Sequence, residues 1–232
     1  MLPVTLSLYS GLAMQLASMV NAAALGSPNS HSLVSRAPPT FQHPGVLLDS
    51  NKLSFIRDKV NAQAAPWTEA FDAMLKDELA SPTRQPNPRP TVECGANSNP
   101  DNGCTEERED ALAAYTNALA WVVTSDKSYA QKAIGYMEAW ASVIKNHTGH
   151  NAPLQSGWSA AAWGRAAEII RYTDTDWPQS NITEIERMLR DVYLPVVNAS
   201  INANGNWDLS MLPDISLMND IYITHDLQIT QS

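Results

Sequence analysis

Positive charge is scarce in this sequence: 15 Lys and Arg face 24 Asp and Glu, for a formal net charge of -9. No basic stripe runs along it, which excludes a nucleic-acid binder, and a polyanionic ligand would have to be held by a few local cations against the overall field. Cysteine is nearly absent too. Cys94 and Cys104 are the only two, and no histidine flanks them, so neither a zinc centre nor cysteine catalysis is indicated and no metal or cofactor is expected. After residue 26 no apolar run is long enough to span a membrane. Strand patterns are missing as well, since no segment alternates apolar and polar residues over a useful length. What is there, 44% hydrophobic and 17% charged residues in a chain of 232, is the composition of one globular domain, and the periodicities below make it all-α.

The first 26 residues carry no charged side chain. Leu6, Leu8, Leu12, Leu16 and Val20 form an apolar run that ends in small-residue sites around Val20–Ala24, the pattern of a secretory signal peptide over residues 1–26. Sequons at Asn146, Asn181 and Asn198 agree with passage through a glycosylating pathway, so the protein is expected to be secreted and extracellular. In that oxidising setting Cys94 and Cys104 are expected to join across a Gly- and Asn-rich loop. Residues 27–44 read as an extended Ser/Pro-rich leader.

Helical spacing begins after it. Asp49 or Ser50 can cap a helix carrying Leu53, Ile56 and Val60, and Pro66 opens a second with Trp67, Phe71, Leu75 and Leu79. Pro82, Pro86, Pro88 and Pro90 impose an extended connector. Thr105 is placed as the N-cap of a third helix. Its acids Glu106, Glu107, Glu109 and Asp110 are read as charge at the positive end of the helix dipole rather than as metal ligands, and Leu112, Tyr115, Leu119, Val122 and Val123 form its stripe. The turn at 124–127 makes the next helix, with Tyr136, Met137 and Trp140, antiparallel to it. His147 and His150 fall in a polar loop and are read as solvent-exposed. A fifth helix over 156–172 turns Trp158, Ala162, Ala166, Ile169 and Ile170 inward, and a sixth, with Ile182, Ile185, Leu189 and Val192, stops near Pro195. Three successive hairpins predict an open ring of paired helices over residues 45–211. Residues 212–232 lack a cap or a sustained stripe and are expected to form a divergent, poorly ordered tail.

Near the end lies Asn204-Gly205-Asn206-Trp207. A Gly between amides marks a turn, and an amide beside an indole can bind a carboxylate while the ring stacks on a sugar. Equally, the asparagines can cap a helix while Trp207 packs in the core.

The segments His43-Pro44-Gly45-Val46-Leu47, Val92-Glu93-Cys94-Gly95 through Gly103-Cys104, Asn151-Ala152-Pro153-Leu154-Gln155, Arg165-Ala166-Ala167-Glu168-Ile169-Ile170-Arg171-Tyr172 and Asn204-Gly205-Asn206-Trp207 together resemble secreted fungal proteins of the alginate lyase domain family, within the chondroitin AC/alginate lyase group. The resemblance covers residues 41–211. It implies an incomplete α/α toroid built from antiparallel helical hairpins. It also implies metal-independent β-elimination on an acidic polysaccharide such as alginate, with Asn206 neutralising the uronate carboxylate and Trp207 stacking on the sugar. On the same basis Gln155 and Trp158 are candidates for sugar subsites and Arg165 for a uronate-binding cation. Core packing of Trp158 and pairing of Arg165 with Glu168 are the competing readings. In the wider group the catalytic His and Tyr and an assisting Arg follow the Asn-Trp motif, whereas here only Tyr222 and His225 do. The chain is therefore expected to be C-terminally truncated, with its activity in doubt. Two other functions fit the same helices. One is a non-catalytic carbohydrate-binding protein using Trp158, Trp163 and Trp207. The other is an α/α glycoside hydrolase, for which Glu168 and Asp208 are the candidate carboxylates at about 6.5–9.5 Å.

Overall fold

The first two helices form where apolar spacing and caps place them. In the computed structural model, which describes residues 43–45, 47–174 and 176–199, α1 (Ser50–Asn61) begins at Asp49, whose carboxylate accepts the Lys52 N–H at 2.7 Å and satisfies one orphan donor of the first turn. Helix α2 (Trp67–Lys76) follows Pro66. The pair buries little, since of its residues only Leu53 is fully covered.

The proline-rich connector leads into a small sheet that the sequence reading did not anticipate. Strand β1 (Thr91–Cys94) pairs antiparallel with β2 (Asp101–Asn102) and parallel with β3 (Asn146–Thr148), placing Val92 opposite His147. Strands this short give alternation too little length to register. The loop after β3 lies tight against β1: Gly149 has a φ of +91°, and a Cβ on it would stand 2.3 Å from the Cys94 carbonyl oxygen, so only glycine fits.

The expected disulfide joins Cys94 of β1 to Cys104, the first residue of α3 (Cys104–Thr124). Thr105 does not cap this helix. The Asp101 carboxylate does, accepting the N–H groups of Cys104 at 3.0 Å and Thr105 at 3.2 Å and the Thr105 hydroxyl at 2.6 Å, because Gly103, left-handed at φ +92°, folds Asp101 back over the first turn. Nor is α3 a one-sided helix. Ala111, Ala113, Ala114, Ala118 and Ala120 are inaccessible while Leu112, assigned to the stripe, is exposed. Small side chains let neighbours close on several sides, so α3 is central rather than peripheral.

Around it the helices alternate in direction. Helix α4 (Lys127–Val143), capped by Asp126, returns antiparallel, and its Trp140 donates to Asp110 of α3 at 2.8 Å. Helix α5 (Ala152–Thr173), which starts four residues ahead of the expected Ser156 with Pro153 in its first turn, runs in the same sense as α3. Gln155 meets Glu107 near one end, and Trp121 donates to Thr173 at 3.0 Å near the other. Helix α6 (Gln179–Met188) runs in the sense of α4, since Asn181 donates to Glu138 and Arg187 to the Ala141 carbonyl. It continues through a π-turn at Leu189–Tyr193, where the Leu194 N–H reaches the Leu189 carbonyl, into α7 (Leu194–Ala199). Pro195, expected to end the helix, is carried inside it. The wide turn falls where its ring would otherwise press on the carbonyl four residues back. The fold is all-α with a minor sheet, and its core is centred on Tyr136, Met137, Trp140, Ile144, Trp163 and Ile170.

Candidate functional site

Gln155, Ser159 and Trp163 recur every four residues on one face of α5, an interruption of polar groups on a side otherwise apolar. That face meets Glu107 from the first turn of α3. The Gln155 amide nitrogen lies 2.8 Å from Glu107 Oε2, 2.8 Å from the Cys104 carbonyl and 3.1 Å from Ser159 Oγ. The Ser159 hydroxyl donates to Glu107 Oε2 at 3.0 Å. On the other oxygen, His147 Nε2 lies 2.6 Å away and the Tyr193 hydroxyl donates at 2.7 Å, itself accepting from Trp163 Nε1 at 3.1 Å. His147 and Tyr193 also meet edge to face, with centroids 4.7 Å apart.

This end of α3 overturns one expectation and adds to another. His147 is buried, its side chain fully covered, because it occupies the middle of β3, where the neighbours Asn146 and Thr148 face solvent and the central residue must face inward. Glu107 and Asp110 are also inaccessible. Asp110 accepts from Arg84, from the Asn87 N–H at 2.7 Å and from Trp140, so it clasps the proline-rich connector. Burial pushes the Glu107 carboxyl up, but the charge of His147 and the hydrogen bonds of His147, Gln155 and Tyr193 outweigh it and hold the group below its ordinary value. Burial, with Glu107 alongside, pushes the Tyr193 phenol far up. A hub with no solvent access touches no polymer. It fixes α3, β3, α5 and the π-turn relative to one another.

The surface beside it is different. Trp158 is 38% exposed rather than turned inward. Arg165 and Tyr172 repeat its position at seven-residue steps, on one line of α5. Tyr115 of α3 is close enough to feel the Arg165 charge, which opposes the upward push of burial on its phenol. Gln155 stands behind this strip at 3% exposure, with Oε1 3.5 Å from Arg108 Nη1. Trp163 is fully buried and is not part of the surface.

Glu168 is also buried. Its partners are the His43 imidazole at 3.1 Å and the Gly45 N–H at 3.1 Å; Arg171 pairs with Glu186, and His43 stacks on Tyr172 with centroids 4.2 Å apart. Among the sequons, Asn146 and Asn198 are exposed, and the Asn181 amide donates to Glu138 at 2.6 Å. Among the described residues no group of three or more His, Cys, Asp or Glu is placed to hold a metal ion. Asn206, Trp207 and Asp208, with the signal peptide, most of the leader and the tail, lie outside the described residues. Sequence reasoning missed Arg108 and Tyr193, took Tyr115 only as a stripe residue and read His147 as exposed; the four-residue recurrence of Gln155, Ser159 and Trp163 was the available sign of a polar interior. A family model described as "Alginate lyase" matches residues 56–209. No curated protein matches the chain.

Proposed function

Since the chain belongs to the alginate lyase family, we propose that it is a secreted polysaccharide lyase-like protein whose reaction is β-elimination on a uronic-acid-containing polysaccharide such as alginate. The family match over residues 56–209 carries this reading. β-Elimination removes the proton on C5, α to the uronate carboxylate, and expels the glycosidic oxygen from C4 as the C4–C5 double bond forms. Three tasks follow: neutralising the carboxylate, taking the proton, and protonating the departing oxygen. In this reading the Asn206 amide does the first and Trp207 stacks on the sugar. Trp158 and Arg165, on the accessible line of α5, bind flanking units. The shared sense of α3 with α5, and of α4 with α6, supports an α/α toroid with an inner and an outer layer. The disulfide and the exposed Asn146 and Asn198 support secretion.

The experiment is turnover of alginate, polyglucuronate and chondroitin by the purified protein, read as unsaturated-uronate absorbance. Product on one of them is expected, and Trp158→Ala should raise KM for that polymer about tenfold with kcat little changed. The exposed Trp158 also favours a second reading, non-catalytic carbohydrate binding. Binding without product, lost in Trp158→Ala, would establish that one instead. Hydrolysis draws little support from Glu168, whose buried carboxylate is held by His43 and Gly45.

A further inference from the structure

Five acids and one arginine gather at the start of α3, Asp101 from β2 and the others from the first turns of the helix, and each of the acids has a bonded partner. Glu106 pairs with Arg89 at 3.4 Å, and Glu109 and Asp110 pair with Arg84 at 3.2 and 3.0 Å. Glu107 is the buried hub, bonded to His147, Gln155, Ser159 and Tyr193. Asp101 holds the backbone N–H groups of Cys104 and Thr105 and the Thr105 hydroxyl. Arg108 is left with two neutral hydrogen-bond acceptors, Gln155 Oε1 and Thr105 Oγ1, both at 3.5 Å; its charge adds to the Thr105 and Cys104 bonds that hold the Asp101 carboxyl below its ordinary value, but among the described residues it forms no ion pair with a carboxylate. Contacts of that length are at the limit of a hydrogen bond, and a guanidinium carries five donors in a planar fork.

The Gln155 side chain beneath it is held in one orientation. The Gln155 amide nitrogen faces three acceptors in the interior, which turns Oε1 the other way, toward Arg108. Trp158 lies three residues further along α5, a neighbour of Gln155 on the helix surface, and it is accessible. A cation whose fork holds no carboxylate, set over a fixed amide one helical turn from an open indole, suits a sugar ring bearing a carboxylate, with the ring against the indole and the carboxylate in the guanidinium fork.

We propose that Arg108 is a specificity-determining residue that reads the carboxylate of a uronate unit whose ring rests on Trp158. This deepens the lyase reading and rests on it. The test measures binding of an oligomannuronate and of its carboxyl-reduced, neutral counterpart to the full chain and to Arg108→Ala and Arg108→Lys. Wild type should prefer the acidic oligomer. Arg108→Ala should lose about tenfold in affinity for it while binding the neutral oligomer unchanged, and Arg108→Lys, which keeps the charge but not the fork, should fall between. An Arg108→Ala protein that keeps the preference, or loses both ligands equally with its near-ultraviolet dichroism intact, overturns the role of Arg108 and leaves the lyase reading standing. If Arg108→Ala fails to fold, the same ratio in Arg108→Lys decides. A wild-type protein with no preference for the acidic oligomer overturns the lyase reading and this inference with it.

Discussion

Glu107 is charged where no solvent reaches it, and its neighbours make that state favourable. Its carboxyl is held below the ordinary value although burial pushes the other way. A depressed native pKa stabilises the fold at pH values above the unfolded group's pKa, and that contribution is lost as the pH falls through the native value. Glu107→Gln keeps the shape but replaces a charged acceptor with an amide nitrogen, so it should cost about 3 kcal/mol near neutrality, read as a lower urea midpoint. The variant should also lack part of the wild-type loss of stability on acidification; equal acid profiles would remove Glu107 from the role given it. In the sequence, Glu107 reads only as a favourable charge in a first turn. Its partners His147 and Tyr193 lie 40 and 86 residues away, and no local pattern brings them to it.

At the level of elements, helices were legible wherever one face is apolar and a cap or proline marks an end, as for α1 at Asp49 and α2 at Pro66. They were less so where burial surrounds the element. Helix α3 uses alanine in place of a stripe, and its large Leu112 points out, which inverts the usual signal. The sheet escaped notice because its strands are short and β3 is 55 residues beyond β1 in register, Val92 against His147 (a separation set by two intervening helices). What holds that junction is local and testable. Gly149 sits at positive φ against the Cys94 carbonyl, while the Asn151 N–H donates to that same carbonyl at 2.9 Å. Gly149→Ala should lower stability by more than about 1 kcal/mol, seen as a reduced melting temperature. An unchanged melt would mean that the loop is free to move away from β1.

Across the described residues as a whole, stability is unevenly distributed. Helices α3 and α5 are packed on several sides, whereas α2 has no fully buried residue and α1 only Leu53. Between that pair and α3 lies an apolar cleft of about 230 Å³, lined by Leu53, Ile56, Trp67, Phe71 and Met74 with Leu119 and Val122. Hydrogen exchange should therefore be slowest in α3 and α5 and fastest in α1 and α2. Comparable protection in both pairs would contradict this ranking.

The shared direction of α3 and α5 has an electrical consequence. Each helix is a dipole whose amino end is worth roughly half a positive charge, and both amino ends open on the side that holds Gln155 and Arg108. In α3 that pole is answered by Glu106 and Glu107 and by Asp101. The first turn of the 22-residue α5 contains no acid at all. The Glu107 carboxylate, bonded to Gln155 in that turn, lies at the mouth of both poles instead, so one buried charge answers two helices and the two dipoles in turn help to keep it ionised out of reach of solvent.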